Sequence, residues 1–266
     1  HPIHQDAPMK IALRNRYGKT FFAHLFLTEN AERIVFVQHG YSGSVDSDHI
    51  KPIIATYRNN GYTVIAFDFT NSFNEADGTL AESTIETHLH DLEDGIAWAS
   101  SQSWYREPFA LAGHSLGGFS ALLYAENNPN KVLHLFPSAA LINGPAREES
   151  YARFAPEELA ALQAGQSVLQ QSVNDGVTYE GSRAPEYFHS LFRYDALPQA
   201  GKLHMPVMLM VGEKDTVCLP KHQWQLFQAL SGPKDLHIIS DAEHCFDSKL
   251  PEMAAHLDVW LKSLNR

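Results

Sequence analysis

The stretch Phe109–Pro129 reads FALAGHSLGGFSALLYAENNP, and its periodicity changes at a single serine. Phe109–Ala112 is a continuous apolar run, the pattern of a strand buried on both faces. Beyond Ser115 the spacing becomes helical, and an amphipathic helix is predicted over Leu116–Asn127. The chain therefore turns sharply at Gly113-His114-Ser115-Leu116-Gly117. Such a turn strains the serine backbone and crowds the positions two before and two after it, which accounts for glycine at both. Gly118 extends the clearance. The turn lifts the Ser115 hydroxyl above the sheet at the positive end of the following helix, with the Leu116 amide available to a developing negative charge. A glycine-rich turn of no function would use the same residues, so the meaning of the serine depends on what stands beside it.

A serine hydroxyl needs a base, and the base needs an acid to orient it. Two later apolar runs supply both. PVMLMVGEKD ends at Asp215 and LHIISDAEH ends at His244, each just past a strand, on the edge where open α/β sheets place their sites. The chain order Ser115, Asp215, His244 is the order expected for this architecture. Glu213 and Asp241 are rivals for the acid, and Asp215 ranks above them because it follows its strand directly after a Gly-x-x break. A fourth run, VFVQHGYSGS, ends its strand at Gln38 and opens a loop at His39-Gly40. The backbone amide of Tyr41 in that loop is the expected second oxyanion donor, alongside Leu116.

Outward from this site, RIVFVQHG, YTVIAFDF, FALAGHS, VLHLFPSAALING, PVMLMVGEKD and DLHIISDAEH alternate with helical patterns at Leu80–Ser100, Leu116–Asn127, Pro220–Leu230 and Pro251–Leu264. Near-continuous apolar strands separated by helices predict an α/β fold, a mostly parallel sheet covered on both faces. KIALRNR-YGK-TFFAHLFL is predicted to be an N-terminal hairpin turning near Gly18. Residues 145–205 break the alternation. They are expected to form an inserted cap or lid on a core of 1–144 and 206–266, since a plain connection is rarely so long. Within the insertion, APEELAALQAGQSVLQQS is predicted to be helical and Asn174–Ser182 a polar, flexible stretch. Tyr179, Tyr187, Phe188 and Phe192 are candidates for an apolar substrate wall.

Composition narrows the partners. The 266 residues are 44% hydrophobic and carry a formal charge of −11, which disfavours nucleic acid as a partner. No run of about 18 apolar residues predicts a membrane span. The opening HPIHQDAPMK has no apolar h-region, so no signal peptide and a cytoplasmic location are expected, with Met9 as a possible start. The two cysteines, Cys218 and Cys245, are no disulfide framework and are read as small fillers beside the site. His88, His90 and Asp91 lie in a helical pattern where i and i+2 diverge, so no metal is expected there. No nucleotide-binding glycine motif occurs, and no cofactor is expected.

HGYSGS, FDFTNSFNEADG, GHSLGG, GEKDTV and AEH together resemble the α/β-hydrolase superfamily, over nearly the whole chain. Within it they are most similar to the group of cinnamoyl and feruloyl esterases, monoacylglycerol lipases and serine aminopeptidase-like hydrolases. Phe73–Gly78 departs from that group, with Asn74 where glycine is usual and Ala76 where serine is usual. The resemblance implies a cofactor-free serine hydrolase acting on a small molecule. The expected reaction is cleavage of a carboxylic ester through an acyl-enzyme. A thioester, amide, lactone or C–C bond is the alternative for the same machinery, and a ligand receptor with a silent triad is the alternative outside enzymes.

Overall fold

The computed structural model describes residues 7–265. The chain enters through an antiparallel hairpin of β1 (Met9–Arg14) and β2 (Thr20–Phe26), with Gly18 at φ +76° in the turn. The buried strand β3 (Ile34–Gln38) is followed by α1 (Lys51–Asn59) and β4 (Thr63–Asp68). Helix α1 was not apparent from the periodicity. It is short and largely polar, yet two parallel neighbours such as β3 and β4 need a crossover, and Ile53, Ile54 and Tyr57 give this one a buried face.

Next come α2 (Ile85–Ala99), β5 (Phe109–His114), α3 (Leu116–Asn127) and β6 (Val132–Ser138). The insertion holds α4 (Gly144–Phe154), α5 (Pro156–Gln163), the strands β7 (Val168–Asn174) and β8 (Val177–Arg183), and α6 (Pro185–Ser190). The chain returns to the sheet with β9 (Val207–Gly212), α7 (Pro220–Ala229), β10 (Lys234–Ile239) and α8 (Leu250–Leu264).

Eight strands form one sheet in the order β1-β2-β4-β3-β5-β6-β9-β10, antiparallel in the β1–β2 and β2–β4 pairs and parallel from β4 to β10. Side chains of β3, β4 and β5 alternate between two apolar cores. Val35, Val37, Ala110 and Ala112 pack towards α1 and α8, while Phe36, Phe109 and Leu111 pack towards α2, α3 and α7. Every residue of α3 from Leu116 to Glu126 is buried, so this helix is not amphipathic as predicted. It is covered all round, as a helix at the centre of a large sheet must be.

Two predicted elements differ. The run after β6 leaves the sheet at Ser138, and Ala139 takes φ +42°, so Ala139–Asn143 is a buried loop and not more strand. The helix predicted through Ser172 stops at Gln163, with Gly165 at φ +78° beyond it. Val168–Asn174 instead pairs with Val177–Arg183 in seven-residue register around Asp175-Gly176, both at positive φ. The polar stretch predicted to be flexible is thus the second arm of a hairpin. The Asp-Gly pair is the turn chemistry such a hairpin demands.

Candidate active site

Strand β5 delivers Ser115 at φ +59°, ψ −113°, a conformation that costs a non-glycine residue about 1–3 kcal/mol and persists only where surroundings enforce it. The Ser115 amide donates to the Ser138 carbonyl at 2.9 Å, and its own carbonyl accepts from Phe119 at 3.0 Å and Leu141 at 3.3 Å. Close approach explains the flanking glycines. A Cβ on Gly113 would lie 2.4 Å from the Gly117 carbonyl oxygen, and one on Gly117 would lie 2.4 Å from the Gln38 carbonyl oxygen. Leu116 is the first residue of α3, where an amide has no intrahelical acceptor.

Asp215 lies just past β9 and His244 just past β10, and both are within reach of Ser115. The Ser115 hydroxyl donates to His244 Nε2 at 3.0 Å, and His244 Nδ1–H donates to Asp215 Oδ2 at 2.8 Å. The Asp215 side chain is fully buried. Its other oxygen accepts from the amides of Val217 and Cys218, both at 2.8 Å, which fixes the carboxylate plane. The rivals are elsewhere. Asp241 is exposed and pairs with Lys214 at 3.1 Å, while Glu213 accepts from the Asp241 amide at 3.4 Å. Both cysteines are free thiols near this site. Burial holds Cys218 protonated, with Asp215 adding to the effect, and burial pushes the Cys245 thiol up to about 12.

The loop after β3 presses against Ser115. A Cβ on Gly40 would come 2.9 Å from the His114 carbonyl oxygen, 3.3 Å from Ser115 Cβ and 3.7 Å from the Leu116 nitrogen. His39 anchors this loop from below. Its Nδ1–H donates to the Gly40 carbonyl at 2.8 Å, and its Nε2 accepts from the Phe69 amide at 2.9 Å. In a trans peptide the N–H points away from the C=O, so a Gly40 carbonyl turned to His39 turns the Tyr41 amide to the other side. His88 Nε2–H holds the His39 carbonyl at 2.9 Å, and its Nδ1 meets Ser120 Oγ at 3.0 Å. Burial keeps both imidazoles neutral, driving His39 down and His88 to about 3. This supporting pair was missed in the sequence. His90 turns away to the Tyr17 hydroxyl, and Asp91 accepts from Thr70 and Asn15, so these three residues do not converge. The atypical Asn74 ties its own loop together by donating to the Phe69 carbonyl at 3.0 Å and accepting from Ala76 at 2.8 Å.

The insertion covers this loop. Ser172 meets Ser42 at 2.9 Å, and Asn174 bonds both the Asp46 carbonyl and the Asp48 amide at 2.9 Å. Between the β7–β8 hairpin and the loops after β3 and β4 lies a cavity of about 850 Å³ that reaches Cys245, although neither Ser115 nor His244 lines it. Of the four aromatic candidates only Tyr179 faces this cavity, stacked on Phe73 at 5.8 Å. Tyr187 is buried against the Tyr41 ring at 4.1 Å. Phe188 belongs to a small core of the insertion with Tyr151, Leu159 and Leu162, and Phe192 packs on Phe188 and beneath Gly144. Apolar bulk drew Phe188 and Phe192 to one another and not to the cavity.

Residues 29–247 match a family model described as "Serine aminopeptidase, S33". No curated protein sequence matches significantly. Among solved structures, the chain is similar to Est1E from Butyrivibrio proteoclasticus with ferulic acid bound, at 17% identity and a TM-score of 0.77, over 96% of this chain and 98% of that one. It is similar to the α/β hydrolase GrgF from Penicillium sp. sh18 at 19% identity and a TM-score of 0.77, over 98% and 99% of the two chains. The esterase Pf2001 from Pyrococcus furiosus aligns at 15% identity and a TM-score of 0.71, over 97% and 90%. At such identities the likeness is one of fold. Among the described residues no helix is long and apolar enough to cross a membrane.

Proposed function

The chain belongs to the serine aminopeptidase family of α/β hydrolases, and on that premise we propose that it cleaves a carboxylic ester by acyl transfer through Ser115. The observation that carries this reading is the relay Ser115 Oγ–His244 Nε2 at 3.0 Å and His244 Nδ1–Asp215 Oδ2 at 2.8 Å. His244 takes the serine proton as the hydroxyl attacks the carbonyl. Asp215 keeps the proton of the imidazole on Nδ1 and stabilises the imidazolium that forms. The amides of Leu116 and Tyr41 receive the oxyanion, where preorganised donors stabilise a charge that appears only in the transition state. His244 then protonates the leaving alcohol and later activates the water that releases the acid.

The strained φ of Ser115 supports a nucleophile, because a silent binding site gains nothing from it. We assign residues 145–205 as a lid on a core of 1–144 and 206–266. The lid's hairpin arches over the 850 Å³ cavity, whose Phe73–Tyr179 platform and many polar groups suit an alcohol or acyl part that is flat and polar. Ferulic acid, bound to Est1E, is a compound of that kind.

A fluorophosphonate probe should label the wild-type protein and leave Ser115→Ala unlabelled. A panel of short acyl, long acyl and hydroxycinnamate esters, beside thioester and amide analogues, should then show ester turnover that Ser115→Ala lowers by about a thousandfold or more. A folded protein that resists the probe and turns over none of these substrates would refute the hydrolase reading and leave a ligand receptor.

A further inference from the structure

Three side chains that ester cleavage leaves idle meet beside the triad. A ring nitrogen of His49, a ring nitrogen of His114 and the sulfur of Cys245 all lie within 4.8 Å of one another. They arrive from the loop after β3, the end of β5 and the loop after β10. The His49 and His114 rings are 4.2 Å apart, and the His114 and His244 rings 4.7 Å apart. His114 Nε2–H donates to the backbone carbonyl of His244 at 2.8 Å. A carbonyl only accepts, so the proton sits on Nε2 and the lone pair on Nδ1. One nitrogen tied to a carbonyl and the other free is how a metal-binding imidazole is usually held. Burial keeps both rings in the neutral, ligating form, with His49 pushed down to about 3 and His114 well below its ordinary range.

The cluster opens to solvent through an acidic mouth. His49 and Cys245 line the 850 Å³ cavity together with Asp46, Asp48, Asp68, Glu75 and Asp247, against Lys10 and His24 as the basic residues of its wall. Such a lining raises the local concentration of cations.

We propose that His49, His114 and Cys245 bind a thiophilic divalent cation, zinc above all, and that the bound ion restrains His244. Two imidazoles and a thiolate are a donor set zinc accepts, with water as the fourth ligand. Ligand atoms around tetrahedral zinc stand roughly 3.3–3.8 Å apart, so the longest separation here closes by about 1 Å on binding. The Zn–S bond forms as the Cys245 S–H bond breaks and its proton leaves to solvent, and no electron is transferred. Cys245 follows His244 directly in the chain and His114 holds the His244 carbonyl at 2.8 Å, so this closure shifts His244 from its 3.0 Å contact with Ser115 and slows turnover. The effect on turnover rests on His244 being the base, whereas metal binding does not.

The test uses the full-length protein, freed of metal with a chelator and titrated with zinc chloride alone. Wild type should take up one zinc ion per chain at micromolar concentration, and ester hydrolysis should fall with the same midpoint. Cys245→Ser and His49→Asn should each weaken uptake and inhibition at least about tenfold, measured against each variant's own zinc-free rate. Cobalt chloride in place of zinc should give a thiolate-to-cobalt absorption band that is lost in Cys245→Ser. Equal inhibition of all three proteins, or a wild type with no cobalt–thiolate band and no zinc bound below about 1 mM, would overturn the proposal. A cobalt–thiolate band in a protein that hydrolyses no ester would keep the metal site and sink the hydrolase reading.

Discussion

Gly40→Ala tests the proposed oxyanion loop apart from the rest of the proposed machinery. The added Cβ would stand 2.9 Å from the His114 carbonyl oxygen and 3.3 Å from Ser115 Cβ. Carbon–oxygen contact is comfortable at about 3.4 Å, so the loop must retreat by about 0.5 Å from a backbone atom that cannot swing aside. Oxyanion donors act at about 2.7–3.1 Å, and the same retreat carries the Tyr41 amide outside that range. The expected loss in kcat is at least about tenfold and at most the roughly thousandfold cost of deleting a donor. KM should change less, because the ground-state carbonyl uses the hole less than the transition state does. Overpacking costs about 1–3 kcal/mol, which at this chain length lowers Tm by roughly 2–10 °C. Steady-state kinetics on a chromogenic ester, with active sites counted by fluorophosphonate titration and Tm taken by calorimetry, separates lost chemistry from lost fold. Gly201→Ala is the control, since nothing lies within 4 Å of its added Cβ. A folded Gly40→Ala enzyme with kcat within twofold of wild type would refute the placement of the oxyanion donor.

Asp215→Asn should lower kcat by about 10³–10⁴, while Glu213→Gln and Asp241→Asn stay within about threefold; a damaging Glu213→Gln would mean the acid is misassigned. Burial, helped by Asp195, raises the Glu126 carboxyl from its ordinary 4.5 to about 8. The folded state therefore holds a proton that the unfolded state has lost between those values, and stability should fall as pH climbs from about 5 to 8. Glu126→Gln should flatten this dependence in urea titrations, and an unchanged slope would assign it to another group. Tyr179→Ala should reorder relative kcat/KM across acyl esters at nearly constant Tm, whereas Phe188→Ala should cost about 3–5 kcal/mol of stability with the substrate ranking kept. The reverse pattern would move the specificity wall from the cavity to the insertion's own core.

Much of the site could be read in the sequence because its constraints are local. Gly113 and Gly117 mark a turn that only small residues can make, and Asp215 and His244 each follow directly on an apolar run. Other parts were legible but weaker. Asp175-Gly176 signals a hairpin, but Val168–Asn174 and Val177–Arg183 lack the clean apolar–polar alternation of a half-buried sheet in sequence, and none of their residues is fully buried. Asn143 before Gly144-Pro145 is the start signal of α4. The loop-holding roles of His39 and His88 and the placement of His49 carried no signal. A histidine that ties a loop to a neighbouring strand differs from any other of the 15 only once the strands are assembled.

The same contrast explains why chemistry is easier to infer here than substrate. Ser115, the Leu116 amide and the loop after β3 are set against one another by backbone atoms: the carbonyl oxygens of Gln38, His114 and Gly117 leave no room for a side chain on the glycines they face. Such contacts tolerate almost no substitution, so they leave fixed words in the sequence. The insertion meets the core through side chains instead, Tyr187 on Tyr41, Ser172 on Ser42 and Asn174 on the Asp46–Asp48 turn. Each of these could be replaced by other pairs of similar size and polarity. A wall built from exchangeable contacts can change its substrate while the turn at Ser115 stays as it is, and that freedom leaves the substrate unwritten in any short motif.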